Sequence, residues 1–214
     1  RDVERSRGLG DVYKRQPLFG SFVHDVLEHV VRAAQENGGF AAMTDGEISA
    51  LTERCMDACM GTYLPQGEAA ASRERYLSAR NRQEAAAVVM DVARELRLSQ
   101  FAPAAEELRF APGGPLPPIE YRAKSGSGLL TGQIDRVDIY EADGTRYFRI
   151  IDYKTGHKDF DYAELLYGKN LQMLLYLFAL ESYQKQTGQP MQPAGVLYVC
   201  LLYTSDAADE EDSV

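Results

Sequence analysis

Asp152-Tyr153-Lys154-Thr155-Gly156 is the most informative stretch of the chain, because it places an acid and a lysine two positions apart at the end of an apolar run. This pattern is typical of the end of a β-strand, where alternation puts Asp152 and Lys154 on one face and Tyr153 on the other. A second strand-like run, residues 129–140, comes before it. Asp143-Gly144 lies between the two runs, and Asp-Gly in that position predicts a tight β-hairpin turn.

The register that follows from this turn places Asp135 directly opposite Asp152. Facing residues of an antiparallel pair have Cα atoms about 4.5–5.5 Å apart, so two carboxylates would meet on one face of the hairpin. The register also places Gln133 opposite Lys154. Two further pairs, Asp138 with Arg149 and Tyr140 with Tyr147, are favourable, at roughly 0.2–1 kcal/mol each.

Two carboxylates that lie so close repel each other unless they share a proton or a cation. The neighbouring Lys154 disfavours a shared proton, so a hard divalent ion explains the pair better. Such an ion polarises a phosphoryl oxygen and lowers the pKa of a bound water, and Lys154 can position or deprotonate that water. The alternative is a hairpin whose polar end is simply solvated.

Four motifs occur in chain order: Gly20-Ser-Phe-Val-His24, Gly132-Gln-Ile-Asp135, Asp152-Tyr-Lys-Thr-Gly156 and Gln172-Met-Leu-Leu-Tyr176. Together they resemble the PD-(D/E)XK nuclease superfamily and its RecB-like branch. The context of His24 and the stretches 167–172 and 193–198 are similar to the C-terminal nuclease domain of the AddB family, a component of ATP-dependent helicase/deoxyribonucleases. The resemblance covers about residues 17–199.

The resemblance implies a Mg²⁺- or Mn²⁺-dependent exonuclease module of a bacterial cytoplasmic helicase–nuclease complex in double-strand-break repair and recombination. It implies DNA as substrate and an AddA-type partner subunit. The family also carries an iron–sulfur cluster, but its cysteines flank the nuclease domain and lie outside this sequence. Two other functions stay open: a catalytically silent DNA-binding or structural domain, and a phage or CRISPR-associated RecB-like exonuclease.

The same resemblance assigns roles to individual residues. Asp135, Asp152 and Lys154 would be catalytic, and the metal ligands would be His24, Asp135, Asp152 and the backbone carbonyl of Tyr153. Glu107 resembles the strand glutamate of the family by its position after Phe101-Ala-Pro103. Gln172 and Tyr176, one helical turn apart, would contact DNA or buttress the site. From the residues alone, an ordinary core or surface role is favoured for His24, and an exposed strand position is favoured for Glu107. Tyr176 is as easily a core residue beside a capping Gln172.

Both ends of the chain are predicted not to be native. Residues 6–16 and 200–210 match translations of two transposase-type sequencing adapters, so we expect residues 1–16 and 200–214 to be foreign to the fold. The ends hold five basic and eight acidic residues of the 23 and 32 in the chain, which leaves 18 and 24 and a net charge near −6. Net acidity argues against a free-standing nucleic-acid binder, but a metal-dependent nuclease tolerates it because the ion supplies local positive charge.

The predicted fold class is α/β or α+β, with a restriction-endonuclease-like mixed sheet flanked by helices. Residues 17–103 would form a helical part and residues 104–199 the catalytic core. The cysteines Cys55 and Cys59 are predicted to be reduced or core thiols, with a metal-binding role as the alternative. Basic residues of the third helix are predicted to form a solvated face, with a contribution to a DNA channel as the alternative: Arg73, Arg75, Arg80, Arg82, Arg94 and Arg97.

The expected helices run from Ser21 to about Gln35, from Thr44 or Asp45 to Tyr63, from Ser72 to Leu98 and from Tyr162 through Gln172 to about Gln186. A strand is expected over residues 106–110 in a sheet that begins near Ala104, and others over 119–123 and 193–199. Residues 125–128 are expected to be a loop leading into the hairpin. No stretch is long and apolar enough to span a membrane.

Overall fold

A computed structural model describes residues 2–63, 72–154, 171–188 and 190–200. The chain divides into two compact units, a helical unit and a sheet unit. The helical unit contains α1 (Asp2–Glu36), α2 (Asp45–Tyr63) and α3 (Ser72–Leu98). The sheet unit contains α4 (Gln172–Thr187) and the strands β1 (Ala102–Phe110), β2 (Ile119–Ala123), β3 (Gly126–Leu130), β4 (Gly132–Ala142), β5 (Thr145–Lys154) and β6 (Met191–Cys200). The last residues of β5 and β6, Lys154 and Cys200, are grouped with the helical unit.

The core of the helical unit forms around an apolar stripe on α1. Residues spaced by three and four fall on one face of a helix, and this face is buried as the sequence predicts. The stripe consists of Phe22, Val23, Val26, Leu27, Val30 and Val31, each at most 4% exposed. Helix α1 ends where predicted, because Gly38 and Gly39 adopt φ of 87° and 83° and the Gly39 N–H donates to the Ala34 carbonyl at 2.8 Å.

The start of α1 differs from the prediction. Ser21 does not cap the helix but lies inside it, because the helical backbone begins at Asp2. A serine caps only where the preceding chain leaves helical geometry, and here the chain is already helical. The predicted helix start at Ser21 would put His24 in the first turn, whereas His24 lies well inside α1. The side chains of residues 2–18 and all of 201–214 lie outside the described part of the chain, so the predicted poor packing of the two ends stays a prediction.

Helices α2 and α3 begin and end within the predicted bounds. Thr44 and Glu47 form a reciprocal capping box in front of α2, with the Thr44 N–H donating to the Glu47 carboxylate at 2.8 Å and the Glu47 N–H donating to the Thr44 hydroxyl at 3.3 Å. The N–H and the hydroxyl of Thr44 both donate to the Glu47 carboxylate, at 2.8 Å each, and so lower the pKa of Glu47. The predicted break at residues 65–67 lies outside the described residues.

The described arginines of α3 make ion pairs, as expected for a solvated face. Arg80 pairs with Glu84 at 2.7 Å and Arg94 with Asp91 at 3.0 Å. Arg97 reaches Asp45 at 2.5 Å and donates to the backbone carbonyls of Phe40 and Met43. Arg82 pairs with Asp57 and Glu53 of α2. These contacts tie α3 to neighbouring parts of its own unit, which weakens the alternative of a DNA channel.

The cysteines of α2 are free thiols, which confirms the prediction of reduced residues. Cys59 is buried, and its Sγ lies 4.0 Å from Nδ1 of His29. Burial, reinforced by the nearby acids Asp25 and Glu28, raises the pKa of the Cys59 thiol to about 11. The thiol therefore stays protonated at neutral pH, which disfavours both oxidation and metal binding.

The central hairpin has the predicted register from its turn as far as Arg136 opposite Ile151, and the predicted pairs of Asp135 with Asp152 and Gln133 with Lys154 lie beyond this paired stretch. Asp143 and Gly144 form its turn with φ of 49° and 74°, the left-handed conformation that a two-residue type I′ turn requires. Asp138 pairs with Arg149, and Tyr140 pairs with Tyr147, whose rings stack at a centroid distance of 6.3 Å. The four-stranded sheet has the order β1-β4-β5-β6, and β2 pairs with β3 in a separate two-stranded sheet. The α+β class is thus confirmed.

Two boundaries in the sheet unit differ from the prediction. Residues 129–140 are not one strand and residues 125–128 are not a loop, because β3 ends at Leu130 and pairs with β2, whereas β4 starts at Gly132. Two glycines allow close ring contacts here: a Cβ at Gly128 would lie 2.7 Å from the Tyr121 ring, and one at Gly132 2.4 Å from the Phe110 ring. The other difference is that β1 starts at Ala102, so the predicted domain boundary between residues 103 and 104 falls inside a strand.

Helix α4 begins at Gln172, with Leu171 in a turn, so it does not run through from Tyr162 as predicted. Residues 155–170 lie outside the described part. The helix packs on the sheet and closes a core formed by Phe110, Leu116, Ile134, Val137, Phe148, Ile150, Met173, Tyr176, Ala179 and Leu180. Among the described helices, none has an apolar stretch long enough to cross a bilayer.

Candidate active site

Glu107 and Asp135 meet where regular pairing of β1 with β4 is interrupted. Glu106 is opposite Arg136 and Leu108 is opposite Ile134, so Glu107 and Asp135 occupy the facing positions between these pairs. A carboxylate oxygen of one lies within 4.8 Å of a carboxylate oxygen of the other. Glu107 has a φ of 50°, which is rare for a residue with a side chain. The strand therefore distorts at the point where the two acids approach each other.

Asp135 also reaches the neighbouring strand. The pairing of β4 with β5 runs as far as Arg136 opposite Ile151, so the predicted positions of Asp135 and Asp152 lie just beyond it. At this point the backbone N–H of Tyr153 donates to Oδ2 of Asp135 at 2.7 Å. If the β4–β5 pairing continued, the Tyr153 N–H would donate to a backbone carbonyl of β4. Here it donates to the side chain of Asp135 instead. This contact ties Asp135 to the Asp-Tyr-Lys stretch.

Asp152 is 1% exposed and faces α4. The hydroxyl of Tyr176 donates to its Oδ1 at 3.4 Å, and the side-chain amide of Gln172 donates to the same hydroxyl. Burial raises the pKa of Tyr176, and the negative charges of Asp152 and Asp135 raise it further. Tyr176 therefore stays a neutral donor, within electrostatic reach of both carboxylates.

Glu107 and Asp135 form a carboxylate pair that suits a hard divalent ion, and Asp152 lies near the end of the next strand, β5. Oxygen atoms of carboxylates are the ligands that such ions prefer, and Glu107, Asp135 and Asp152 bring them to the same end of three adjacent elements, β1, β4 and β5. Lys154 is half-buried and ends β5, on the same face as Asp152 by alternation. His24 belongs to the helical unit, where it is half-buried in α1, and its role stays a prediction.

A sequence model of the PD-(D/E)XK nuclease superfamily matches residues 3–213. The chain belongs to this superfamily. PD-(D/E)XK nucleases use divalent metal ions, so the carboxylate set fits a metal site of this kind.

Curated relatives of the chain are named as the B subunit of an ATP-dependent helicase/deoxyribonuclease. The relative from Acetivibrio thermocellus is 36% identical over 187 residues, which is 86% of this chain and 16% of the relative. That from Geobacillus thermodenitrificans is 32% identical over 85% of the chain and 16% of its own length, and that from Clostridioides difficile 30% over 92% and 17%. The chain thus spans about a sixth of the length of the curated relatives that it matches.

The structure adds residues that the sequence did not single out. Arg136 and Asp138 are 2% and 0% exposed and form an ion pair at 2.8 Å inside the sheet unit. The sequence pairs Asp138 with Arg149 across the hairpin, but it does not reveal that this pair is buried or that Arg136 joins it. The one signal in the sequence was charge at alternate positions, 136 and 138, in a strand that also carries apolar residues.

Proposed function

We propose that this PD-(D/E)XK chain is the nuclease module of a helicase–nuclease complex, acting as a Mg²⁺- or Mn²⁺-dependent DNA exonuclease in double-strand-break repair and recombination. The approach of the Glu107 and Asp135 carboxylates to within 4.8 Å, beside the strand end that carries Asp152, is the observation that carries it. The relatives' name supports DNA as the substrate and a second subunit as the partner. We propose further that this subunit is of the AddA type and that the complex acts in the bacterial cytoplasm. We assign no iron–sulfur ligand to Cys55 or Cys59.

In this proposal Asp135 and Asp152 hold the ion, and Glu107 is placed to assist them. His24 and the backbone carbonyl of Tyr153 are kept as further ligands on the strength of the family resemblance. The bound ion supplies polarisation of the scissile phosphate and a lowered pKa for the attacking water. Like-charged carboxylates repel in the metal-free chain, so binding a cation also relieves that repulsion.

The chain's own residues supply the remaining steps. Lys154 orients the attacking water, and its ammonium group offsets the negative charge that develops as the water oxygen bonds to phosphorus and the leaving oxygen departs. The Tyr176 hydroxyl donates to Asp152 and fixes the rotation of that carboxylate, and Gln172 fixes the hydroxyl in turn. Gln172 is itself exposed, so it is also placed to contact DNA.

Substitution of Asp152 and Lys154 tests the proposal. Asp152→Ala should weaken Mg²⁺ and Mn²⁺ binding and lower digestion of end-labelled DNA by about 100-fold or more, since metal catalysis contributes several kcal/mol and about 1.36 kcal/mol is tenfold. Lys154→Ala should lower digestion as much but leave metal affinity unchanged, because an ammonium group is not a metal ligand. The measurements are calorimetric metal titration and gel analysis of the DNA, made on the chain reassembled with its partner.

Asp143→Asn is the matched control. Asp143 is exposed in the hairpin turn, and asparagine tolerates its positive φ, so this change should leave metal binding and digestion intact. Undiminished digestion by Asp152→Ala would rule out the mechanism. Metal binding without digestion in the unsubstituted protein would instead favour the catalytically silent domain.

A further inference from the structure

A cluster of charged side chains is buried on the face of the β4–β5 hairpin that points away from Asp152. We call Arg136, Asp138, Arg149 and Tyr153 the buried cluster. Arg136 is 2%, Asp138 0% and Tyr153 6% exposed. Because side chains alternate along a strand, Tyr153 points to the face opposite its neighbours Asp152 and Lys154. The cluster therefore lies directly behind the residues to which the proposed function assigns catalysis.

The contacts in the buried cluster are short and directional. Arg136 donates through Nη1 to the Tyr153 hydroxyl at 2.8 Å and through Nη2 to Oδ2 of Asp138 at 3.1 Å. Arg149 donates through Nε to the same Asp138 oxygen at 2.8 Å. The two guanidinium groups also lie over aromatic rings, Arg136 at 5.8 Å from the Tyr153 centroid and Arg149 at 4.9 Å from that of Phe101. Arg136 thus contacts both Tyr153 and Asp138, whereas the hydrogen bond described for Arg149 goes to Asp138.

Tyr153 is held from two sides. Its hydroxyl accepts the hydrogen bond from Arg136, and its backbone N–H donates to Asp135 at 2.7 Å. The side chain and the main chain of one residue thus connect the buried cluster to a carboxylate of the metal site.

Stability alone is a weak reason for such a cluster. Removing charges from water is costly, and buried ion pairs can often be replaced by apolar residues of similar size without loss of stability. Groups that orient metal ligands from behind, in contrast, typically change metal affinity or activity by about 10–100-fold when they are removed. Arg136 is buried and donates to Tyr153, which lies between Asp152 and Lys154 in the chain, so it is well placed to orient the metal site from behind.

We propose that Arg136 is a positioning residue for the metal site. Through Tyr153 it fixes the end of β5, and with it the Asp152 carboxylate, the Tyr153 carbonyl and the start of Lys154. The inference rests on the proposed function, because it concerns the same metal site. It assigns no chemical step to Arg136, which acts only through Tyr153.

The first test removes the Tyr153 hydroxyl, which accepts the hydrogen bond from Arg136. Tyr153→Phe keeps the ring but loses the acceptor for Arg136, and we expect Mn²⁺ to bind about 10-fold more weakly in calorimetric titration of the full chain. Tyr147→Phe is the matched control, because Tyr147 lies on the same strand and face and stacks on Tyr140 through its ring. This control should bind Mn²⁺ as the unsubstituted chain does.

The second test compares the two arginines. Arg136→Lys and Arg149→Lys both weaken contacts with Asp138, so both should lower the urea midpoint. Only Arg136→Lys should weaken Mn²⁺ binding, and in the Tyr153→Phe background it should weaken binding no further, because the two residues act through one contact. A rearrangement that only loosened the fold would produce neither the difference between the arginines nor this coupling.

The outcomes separate the inference from the proposed function. If Tyr153→Phe and Arg136→Lys bind Mn²⁺ like the unsubstituted chain while only the urea midpoint falls, the buried cluster is structural and the inference is overturned. Equal weakening in Arg136→Lys and Arg149→Lys would overturn it too. If the unsubstituted chain binds no Mn²⁺ at all, the proposed function fails first, and the inference fails with it.

Discussion

Among single residues, Glu107 has the most unusual backbone in the sheet. The other residue with a side chain and a positive φ in the described part of the chain is Asp143, which sits in a turn where such a φ is expected. For a residue with a Cβ this conformation costs roughly 1–2 kcal/mol. Such strain persists where the surrounding structure enforces it, often at functional sites. Here it accompanies the approach of Glu107 to Asp135.

In a strand, alanine is normally more stabilising than glycine, and the strain at Glu107 predicts the reverse order at this position. Glu107→Gly should be more stable than Glu107→Ala by about 1 kcal/mol, because only glycine adopts φ of 50° without strain. Urea denaturation of the metal-free chain measures the difference.

The adjacent strand residue Glu106 is the control for this prediction. The φ of Glu106 is not positive, so Glu106→Ala should be more stable than Glu106→Gly. Glycine in a strand loses more conformational entropy on folding than alanine does. The same order of Gly and Ala at both positions would contradict a strained Glu107. Both Glu107 variants should also bind Mn²⁺ more weakly if its carboxylate assists Asp135.

Among the elements, the β4–β5 hairpin sets the positions of Asp135 and Asp152. Its register follows from the Asp143-Gly144 turn and is supported along its length by Asp138 with Arg149 and by Tyr140 with Tyr147. A slip by one residue would send every side chain of β5 to the other face. The turn and the cross-strand pairs therefore keep Asp152 on the side of α4.

Replacement of glycine by alanine should have opposite effects on stability at Gly144, in the hairpin turn, and at Gly46, in a helix. Gly144→Ala should lower the free energy of unfolding by about 1 kcal/mol, because alanine is strained at φ of 74°. Gly46→Ala, in α2, should raise it by up to about 1 kcal/mol, since its φ is ordinary, nothing lies within 4 Å of the added Cβ, and alanine favours a helix. Urea denaturation measures both, and a stabilising Gly144→Ala would mean that the turn is not left-handed.

For the molecule as a whole, the net negative charge limits how strongly the chain's own surface can attract DNA. The chain carries a formal net charge of −9, and the described arginines of α3 pair with acids. A protein that binds DNA through its own surface usually presents an unpaired basic stripe. In the proposed function, the attraction for phosphate therefore comes mainly from the bound ion and the partner subunit.

This view predicts that DNA binding by the chain depends on metal. Lys154→Ala, which should bind metal without cutting, should bind an end-labelled duplex in Mg²⁺ and lose most of that binding in EDTA, because the ion supplies the local positive charge. Fluorescence anisotropy measures the affinity in both conditions, and Asp152→Ala is the control that should bind weakly in both. Equal affinity of Lys154→Ala with and without Mg²⁺ would contradict the prediction.

Features that depend on local chemistry could be predicted from the order of the amino acids. Asp-Gly enforces a left-handed turn, so the hairpin and the pairing of Asp138 with Arg149 followed from it. Helical periodicity predicted the buried stripe of α1, and the reduced state of the cysteines followed from their number and spacing. The four motifs, in their order along the chain, also resemble the superfamily, and the match over residues 3–213 confirms that membership.

Features that join residues far apart in sequence emerged only in the folded chain. Folding brought Glu107 to Asp135, bent β1 at a non-glycine residue and placed Asp135 on the Tyr153 N–H. It divided residues 126–142 between two sheets, and it buried Arg136 behind the site. Local propensity is weak at such places, because burial and contacts across strands contribute more energy than the intrinsic preference of any one residue.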